Sequence, residues 1–337
     1  MKNQNRRGFI QKLAIGGLLI TPFQKLVATP VSVELQREPA KKKIRFGICA
    51  DIHQDIMHDG ELRLQVFIDD MQKQDVDFII QLGDFCRPYD RNLPFLKIWE
   101  QFQGPRYHVI GNHDNDGGFT HDQVITFWKA PLKYYSFDKN GYHFVVLNGN
   151  EHNPSPDRPV GYARYIGKEQ QEWLEKDLHQ TSLTTIVFCH QGLDNDMGGI
   201  ENATLVRLIL ERANQDAGFK KVRLVFSGHH HLDYQNEIND IFYIQINSMS
   251  YQWLGDSYVK IRYSTEIDQK YPYIKYTVPY KDPIYTIAEI DSNGAFSIKG
   301  ASTSFVGPSP TDLGMPKHEM GYEVVPYISP RRIKFNK

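Results

Sequence analysis

A disulfide framework, an excess of either charge and any long apolar run are all missing from this 337-residue chain. Cysteine occurs only at Cys49, Cys86 and Cys189, too few and too scattered to staple a small secreted scaffold. They read as small buried apolar residues, with oxidation of one pair still open to an exported protein. With 39 Lys+Arg against 40 Asp+Glu the formal net charge is −1, so there is no basic footprint for a stable nucleic-acid partner. No internal repeat or long low-complexity segment appears, which excludes solenoid and fibrous classes. What remains is ordinary for a globular protein, 40% hydrophobic and 23% charged, and long enough to bury a sizeable core.

The first residues differ from the rest. MKNQNRRGFIQKLAIGGLLITPFQKLVA has a basic start, an apolar middle and a small-residue exit, the shape of an export signal. Its apolar stretch from Leu13 to Ile20 is short and Gly-containing for a membrane span. Arg6-Arg7 followed by Gly-Phe-Ile resembles the twin-arginine export motif; an ordinary secretory signal or an uncleaved anchor is the alternative. No cysteine follows the apolar stretch, which argues against a lipid anchor. The expectation is an export signal over 1–29, a Pro/Lys-rich linker over 30–42, and a periplasmic protein whose only membrane contact is that signal. Loss of Lys2, Arg6, Arg7, Lys12 and Lys25, with no acid, takes the formal charge from −1 to −6.

From residue 43 onward short apolar runs alternate with amphipathic stretches. KIRFGICA (43–50), VDFIIQLG (76–83), RYHVIG (106–111), TTIVFCH (184–190) and VRLVFSG (222–228) read as buried strands. Leu64, Phe67, Ile68 and Met71 recur at helical spacing, Leu205, Leu208 and Ile209 repeat it, and 168–180 is helical in composition. Asn140-Gly141 marks a hairpin and DSNG at 291–294 another turn. The pattern is α/β with some antiparallel pairing in the second half, one domain over 43–300 and an extended Pro/Gly/Ser-rich tail over 301–337.

Nearly every predicted strand ends in a residue able to bind a metal. The blocks are Asp51-Ile-His53, Gly83-Asp84, Gly111-Asn112-His113-Asp114, His190 and Gly228-His229-His230-His231. Open α/β sheets bind ligands outside the carboxyl ends of their strands, so five such ends point to one site. A His tract alone is a weak metal signal. In extended backbone alternate side chains share a face, which lets His229 and His231 act together while His230 faces elsewhere.

The ordered set resembles the calcineurin-like metallophosphoesterases, whose blocks run Asp-x-His, Gly-Asp, Gly-Asn-His-Asp/Glu, a lone His and Gly-His-x-His. All five are present in order across 51–231. The resemblance implies a four-layer α/β/β/α sandwich of two mixed β-sheets with two metal ions between loops at one end. It implies that Asp51, His53, Asp84 and His231 hold one ion, and that Asp84, Asn112, His190 and His229 hold the other, with Asp84 bridging. It also implies that His113 is the catalytic histidine and that Asp114 orients it. One departure stands out. In purple acid phosphatases a tyrosine three residues after the Gly-Asp aspartate binds ferric iron; Arg87 occupies that position here, which leaves Mn, Zn or Fe open.

The residue chemistry agrees, since imidazole and carboxylate ligands suit Zn, Fe or Mn better than Ca or Mg. Two divalent ions, offset by Asp51, Asp84 and a bridging hydroxide, leave a net charge of about +1, which favours a phosphate anion. The expected function is an exported, metal-dependent phosphoric ester hydrolase. A metal-bridging hydroxide attacks phosphorus and His113 assists the leaving group. A small-molecule phosphomonoester is the first choice of substrate; a phosphodiester (cyclic nucleotide, nucleotide diphosphate or glycerophosphodiester) is the alternative. A nuclease ranks below both, and a non-catalytic scaffold of the same fold is the rival from another class. Arg87 either grips a phosphate oxygen or forms a surface salt bridge. Tyr89, Gln191 and Trp253 are candidate pocket residues on position alone, and the loops 87–94, 149–165 and 191–199, with the aromatic segment 251–280, are candidate specificity elements. His108 and His143 read as satisfied strand residues and His121, His179 and His318 as solvated ones. His58 and His152 stand between substrate contact and surface loop. Oligomeric state is not readable.

Overall fold

The computed structural model describes residues 43–334, so the export signal read at 1–29 and the linker read at 30–42 lie outside the described residues. No helix among the described residues is long and apolar enough to cross a membrane.

Two six-stranded mixed sheets form the middle of the molecule. In the first, β1 (Ile44–Cys49), β2 (Phe78–Gln81) and β3 (Arg106–His108) run parallel. Thr286–Ile290 pairs antiparallel with β1, followed outward by Ala295–Ile298 and Arg331–Lys334. The second sheet is built from β4 (Tyr135–Lys139), β5 (Tyr142–Val146), β6 (Thr184–Phe188), β7 (Val222–Ser227), β8 (Tyr234–Ile238) and β9 (Ile241–Gln245), in the spatial order β4-β5-β6-β7-β9-β8. Here β5, β6, β7 and β9 are parallel to one another.

Strand periodicity explains the layering. Phe46 and Ile48 of β1, Phe78 and Ile80 of β2, and Ile186 and Phe188 of β6 all enter one aromatic-rich core between the sheets. Alternate residues turn outward. Cys49 and Ile79 pack under α1 (Gly60–Lys73), α2 (Leu93–Trp99) and α3 (His121–Trp128). Val187 and Val225 pack under α4 (Lys168–Gln180) and α5 (Ala203–Ala217). The result is the four-layer α/β/β/α sandwich expected of these motifs. All three cysteines are free and buried.

Local chemistry accounts for the details. Asn140 and Gly141 both adopt positive φ, 52° and 82°, the turn that matches the twist of the β4–β5 hairpin. Leu64, Phe67, Ile68 and Met71 all face the core from α1. On α5 the spacing selected the wrong face: Leu205 and Leu208 are exposed, and Val206, Leu210 and Ala213 face the sheet. Two apolar stripes one residue apart on this helix have similar strength, and only packing chooses between them. The segment read as an extended tail returns at its end, where Arg331–Lys334 hydrogen-bonds to Ala295–Ile298 as an edge strand.

His108 sits among Phe85, Trp99 and Trp128, with its Nδ1 3.2 Å from Gln81 Nε2. Burial, helped by the Arg106 charge, holds its pKa down at about 3. The folded ring stays neutral where the unfolded ring, near its ordinary value of about 6.5, would take a proton. This contribution is intact above the unfolded value and is lost as pH falls toward 3. The difference in denaturation midpoint between wild type and His108→Gln, measured from pH 7 down to 4, is therefore expected to shrink steadily. A pH-independent difference would contradict it.

Candidate metal centre

The carboxyl ends of β1, β2, β3, β6 and β7 feed loops that meet edge to edge. Asp51 N donates to Gly83 O, His53 N to Asp84 O, Gly228 N to His190 O and Met249 N to Ala50 O. These bonds bring two groups of side chains together, Asp51, His53, Asp84 and His231 in one, and Asp84, His190 and His229 in the other. Within each group the ligand atoms lie within 4.8 Å of one another. Asn112 joins the second group, its Oδ1 3.1 Å from His190 Nε2. All seven residues read as ligands from the sequence are thus in one cluster, and Asp84 belongs to both halves.

The backbone is bent to achieve this. Asp51, His53, Asp84, His229 and His231 all have φ between 51° and 72°. Such left-handed residues cost roughly 1–2 kcal/mol each for a side chain with a Cβ. Clustered strain of this kind is carried only where surrounding contacts fix it. Asp51 accepts from His229 N with both carboxylate oxygens at 3.1 Å, and Asp84 Oδ1 accepts from His113 N at 2.8 Å. The glycines of the motifs serve close approach. A Cβ on Gly111 would meet Asp84 N at 2.2 Å, and one on Gly228 would meet Asp51 Oδ2 at 2.6 Å.

The histidines are oriented from behind. His190 Nδ1 lies 2.7 Å from Leu82 O and His231 Nδ1 2.7 Å from Tyr251 O. Each ring therefore donates outward and turns the Nε2 lone pair into the cluster. There His231 Nε2 is 3.1 Å from both Asp51 Oδ1 and His53 Nε2, and Asp84 Oδ2 is 3.3 Å from His190 Nε2. Burial holds His53 and His229 well below the usual histidine range, so both rings are neutral and can ligate. Burial also acts to lower His190, but Asp84 and Asp51 outweigh it and push its pKa up to about 9. The carboxylate field that keeps a proton there favours a divalent ion in the proton's place. Asp84 is held low: burial opposes its charge, and His190, His113 and His53 overcome that. Buried carboxylate oxygens, imidazole nitrogens and one amide oxygen converging this closely fit two divalent ions sharing Asp84.

A family model described as calcineurin-like phosphoesterase matches residues 44–233. The chain belongs to the calcineurin-like phosphoesterases. It is 26% identical to a manganese-dependent ADP-ribose/CDP-alcohol diphosphatase of Arabidopsis thaliana, over 55% of this chain and 79% of that protein. It is 28% identical to the protein of the same name from Oryza sativa subsp. japonica, over 58% and 78%. Among solved structures a dimetal phosphatase from Danio rerio shares the fold, with a TM-score of 0.56 at 14% identity, covering 79% of this chain and 99% of that one. GAP50, the anchor in the inner membrane complex of Plasmodium, does so with a TM-score of 0.52 at 17% identity, covering 88% and 90%. This calcineurin-like phosphoesterase is accordingly a hydrolase of phosphoric ester bonds that uses two divalent metals.

Beside the cluster, one sequence-based role changes hands. Asp114 does not orient His113. Its buried carboxylate accepts from Gly111 N at 2.7 Å, Asp84 N at 2.9 Å and Phe85 N at 2.7 Å. Burial and the Asp84 charge push the Asp114 carboxyl up, and the N–H bonds from Gly111 and Phe85 oppose them. The carboxylate on His113 is Asp116, whose Oδ2 lies 2.7 Å from His113 Nδ1. The same oxygen pairs with Arg87 at 3.0 Å, so Arg87 lines the site while bound in a salt bridge. Tyr162 Oη lies 3.3 Å from His113 Nδ1.

Of the other candidates, Trp253 lines the cavity over the cluster. Gln191 is buried and donates to Asn150 Oδ1, and Tyr89 packs on Phe119. His230 stands outside both donor groups, its Nδ1 2.7 Å from Tyr234 Oη, but does not face wholly elsewhere, since it lines the same cavity as His229 and His231. His58 packs against Tyr263, and His143 is held between Asp138 and Asp177. His121, read as solvated, instead lies with His152 in a second cavity, its Nδ1 3.3 Å from Asn148 Nδ2. The sequence reading missed Asp116, whose signal was a second carboxylate in the loop His113-Asp114-Asn115-Asp116; Tyr162 and Tyr251 fell within the candidate specificity segments 149–165 and 251–280 without being singled out.

The two carboxylates should separate by experiment. Asp114→Ala strands three buried N–H groups and is expected to cost roughly 3 kcal/mol or more in chemical denaturation. Asp116→Asn, at a partly exposed side chain, is expected to cost less than about 1 kcal/mol but to lower kcat most for substrates with poor leaving groups. Equal stability losses, or a kcat loss blind to the leaving group, would refute the assignment.

Proposed function

We propose that this protein is a manganese-dependent diphosphatase of nucleotide-type diphosphate diesters, working outside the cytoplasm. The observation that carries it is the cavity over the metal cluster. It holds about 470 Å³ and is lined by His53, Asp84, His113, His229 and His231 together with Tyr162, Tyr251, Trp253 and Tyr273. Among the described residues Arg87 is its only Lys or Arg, and that charge is already paired with Asp116. A monoester gathers two charges on one phosphate and calls for free cations; a diphosphate diester carries one on each phosphate and has organic groups that call for aromatic surface. The aromatic lining favours the diester alternative over the phosphomonoester expected first from the sequence. The names of the two plant relatives support the same choice and supply manganese.

In this reading Asp51, His53, Asp84 and His231 hold one ion and Asp84, Asn112, His190 and His229 the other. When bound, the two ions stabilise charge on the phosphoryl oxygens and activate water. The protein does the rest. The left-handed loops fix the spacing of the donors, and the carbonyls of Leu82 and Tyr251 fix two of the ring tautomers. Asp116 holds His113 through Nδ1, which leaves Nε2 to give a proton to the departing oxygen as the phosphorus–oxygen bond breaks. The export part rests on Arg6-Arg7 ahead of the apolar stretch.

Metal-stripped protein is expected to stay folded but inactive and to recover with manganese. Reconstituted protein should then cleave ADP-ribose, CDP-alcohols and bis-p-nitrophenyl phosphate in preference to p-nitrophenyl phosphate. A monoester preference would sink the diphosphatase reading and return Arg87 to the role of phosphate clamp. For export, an Arg6→Lys, Arg7→Lys precursor should accumulate in the cytoplasmic fraction; unchanged fractionation would refute twin-arginine transport.

A further inference from the structure

A second cavity, of about 600 Å³, takes no part in the reading above. Asp116 and Tyr162 line both cavities and, among the described residues, are the only ones common to them. Asn112, from the metal cluster, also lines the second cavity. The two spaces therefore meet at the reaction centre, on either side of the pair that touches His113 Nδ1.

Their linings differ in kind. The first offers the rings of Tyr251, Trp253 and Tyr273. The second offers amides, imidazoles and a hydroxyl from Asn115, Thr120, His121, Asn150 and His152, with Phe119 as one apolar face. Among the described residues it is lined by no Lys, Arg or tryptophan, so it suits neither a further phosphate nor a broad aromatic base. Some polar atoms there are committed: Thr120 Oγ1 caps α3 through Gln123, Asn150 accepts from Gln191, and Glu151 from Gly167 N and Gln170. Others are available. Asn115 Oδ1 is buried without a partner, His152 is exposed, and His121 uses Nδ1 alone. Neutral groups that donate and accept side by side match hydroxyls, which need both.

We propose that this polar cavity is the subsite for a hydroxyl-rich half of the substrate, a sugar or polyol phosphate, while the aromatic cavity takes the half that bears the base. The naming of two halves rests on the diphosphate diester reading; the assignment of a hydroxyl subsite rests on the cavity itself. His152 and His121 are its specificity-determining residues, and Tyr162 with Asp116 forms the partition across which the diphosphate lies.

The test uses manganese-loaded full-length protein and two probes that cannot be hydrolysed, phenylphosphonate and 3,4-dihydroxybutylphosphonate, titrated by calorimetry beside inorganic phosphate. His152→Ala, at an exposed side chain, is expected to weaken the dihydroxy probe about fivefold, the loss of one hydrogen bond, and to leave phenylphosphonate unchanged. His121→Ala should act in the same sense. Trp253→Ala should do the reverse. The proposal is overturned if the dihydroxy probe binds wild type no better than phosphate, or if His152→Ala weakens both probes equally or neither. Failure of the diphosphatase reading would appear separately, as monoester preference in turnover, and would leave this binding pattern intact.

Discussion

The Asp114 carboxylate organises the reaction centre without facing it. Its bonds from Asp84 N and Phe85 N fasten the loop after β3 to the loop after β2, the bond from Gly111 N closes its own loop, and Asp84 returns the tie by accepting from His113 N. A buried carboxyl group is tolerable only when its acceptor positions are met, and here the donors are backbone groups that cannot swing away. Much follows from this mutual tie. Asp84 is aimed at His53 and His190, His113 is held beside it, and no side chain can be added at Gly111.

The sandwich supplies what the loops need. One aromatic core, in which Phe46 stacks on Phe78 at 4.8 Å and meets Phe144, Phe188 and Phe226 edge-on, joins the sheets, so the ends of β1 and β2 stay in register with those of β6 and β7. Against that rigid base five strained ligand residues are affordable. The same geometry explains why the chemistry collects at strand ends: strand interiors alternate between two mostly apolar layers, where a polar side chain such as His108 or His143 is taken up by its immediate neighbours.

Legibility in the sequence followed the strength of the local signal. The five motif blocks and the strands before them could be read because buried parallel strands are plain apolar runs and metal donors are rare residue types. The sandwich followed from the resemblance those blocks carry. The hairpin was legible because Asn140-Gly141 demands positive φ. The Asp114 role was not, because in a tight turn two carboxylates two residues apart can each reach His113, and only the fold shows that backbone N–H groups claim the first. Leu205 and Leu208 misled because α5 has two apolar stripes. Tyr162 lies in a loop with no periodicity at all, and its approach to His113 across 49 residues is a tertiary fact with no local trace.

The ties that shape the cluster run through backbone and carbonyl groups, not through the ions. Asp51 to His229, Asp84 to His113 and His190 to Leu82 are all complete in the polypeptide itself. If metal-stripped protein keeps its fold, as these ties predict, occupancy becomes a question of timing and supply. A ready-made set of nitrogen and oxygen donors accepts whichever suitable ion is abundant where folding finishes, because the intrinsic order of affinities among such ions does not by itself favour manganese. The compartment in which the chain reaches its native state would then choose the ion, and with it the rate of turnover.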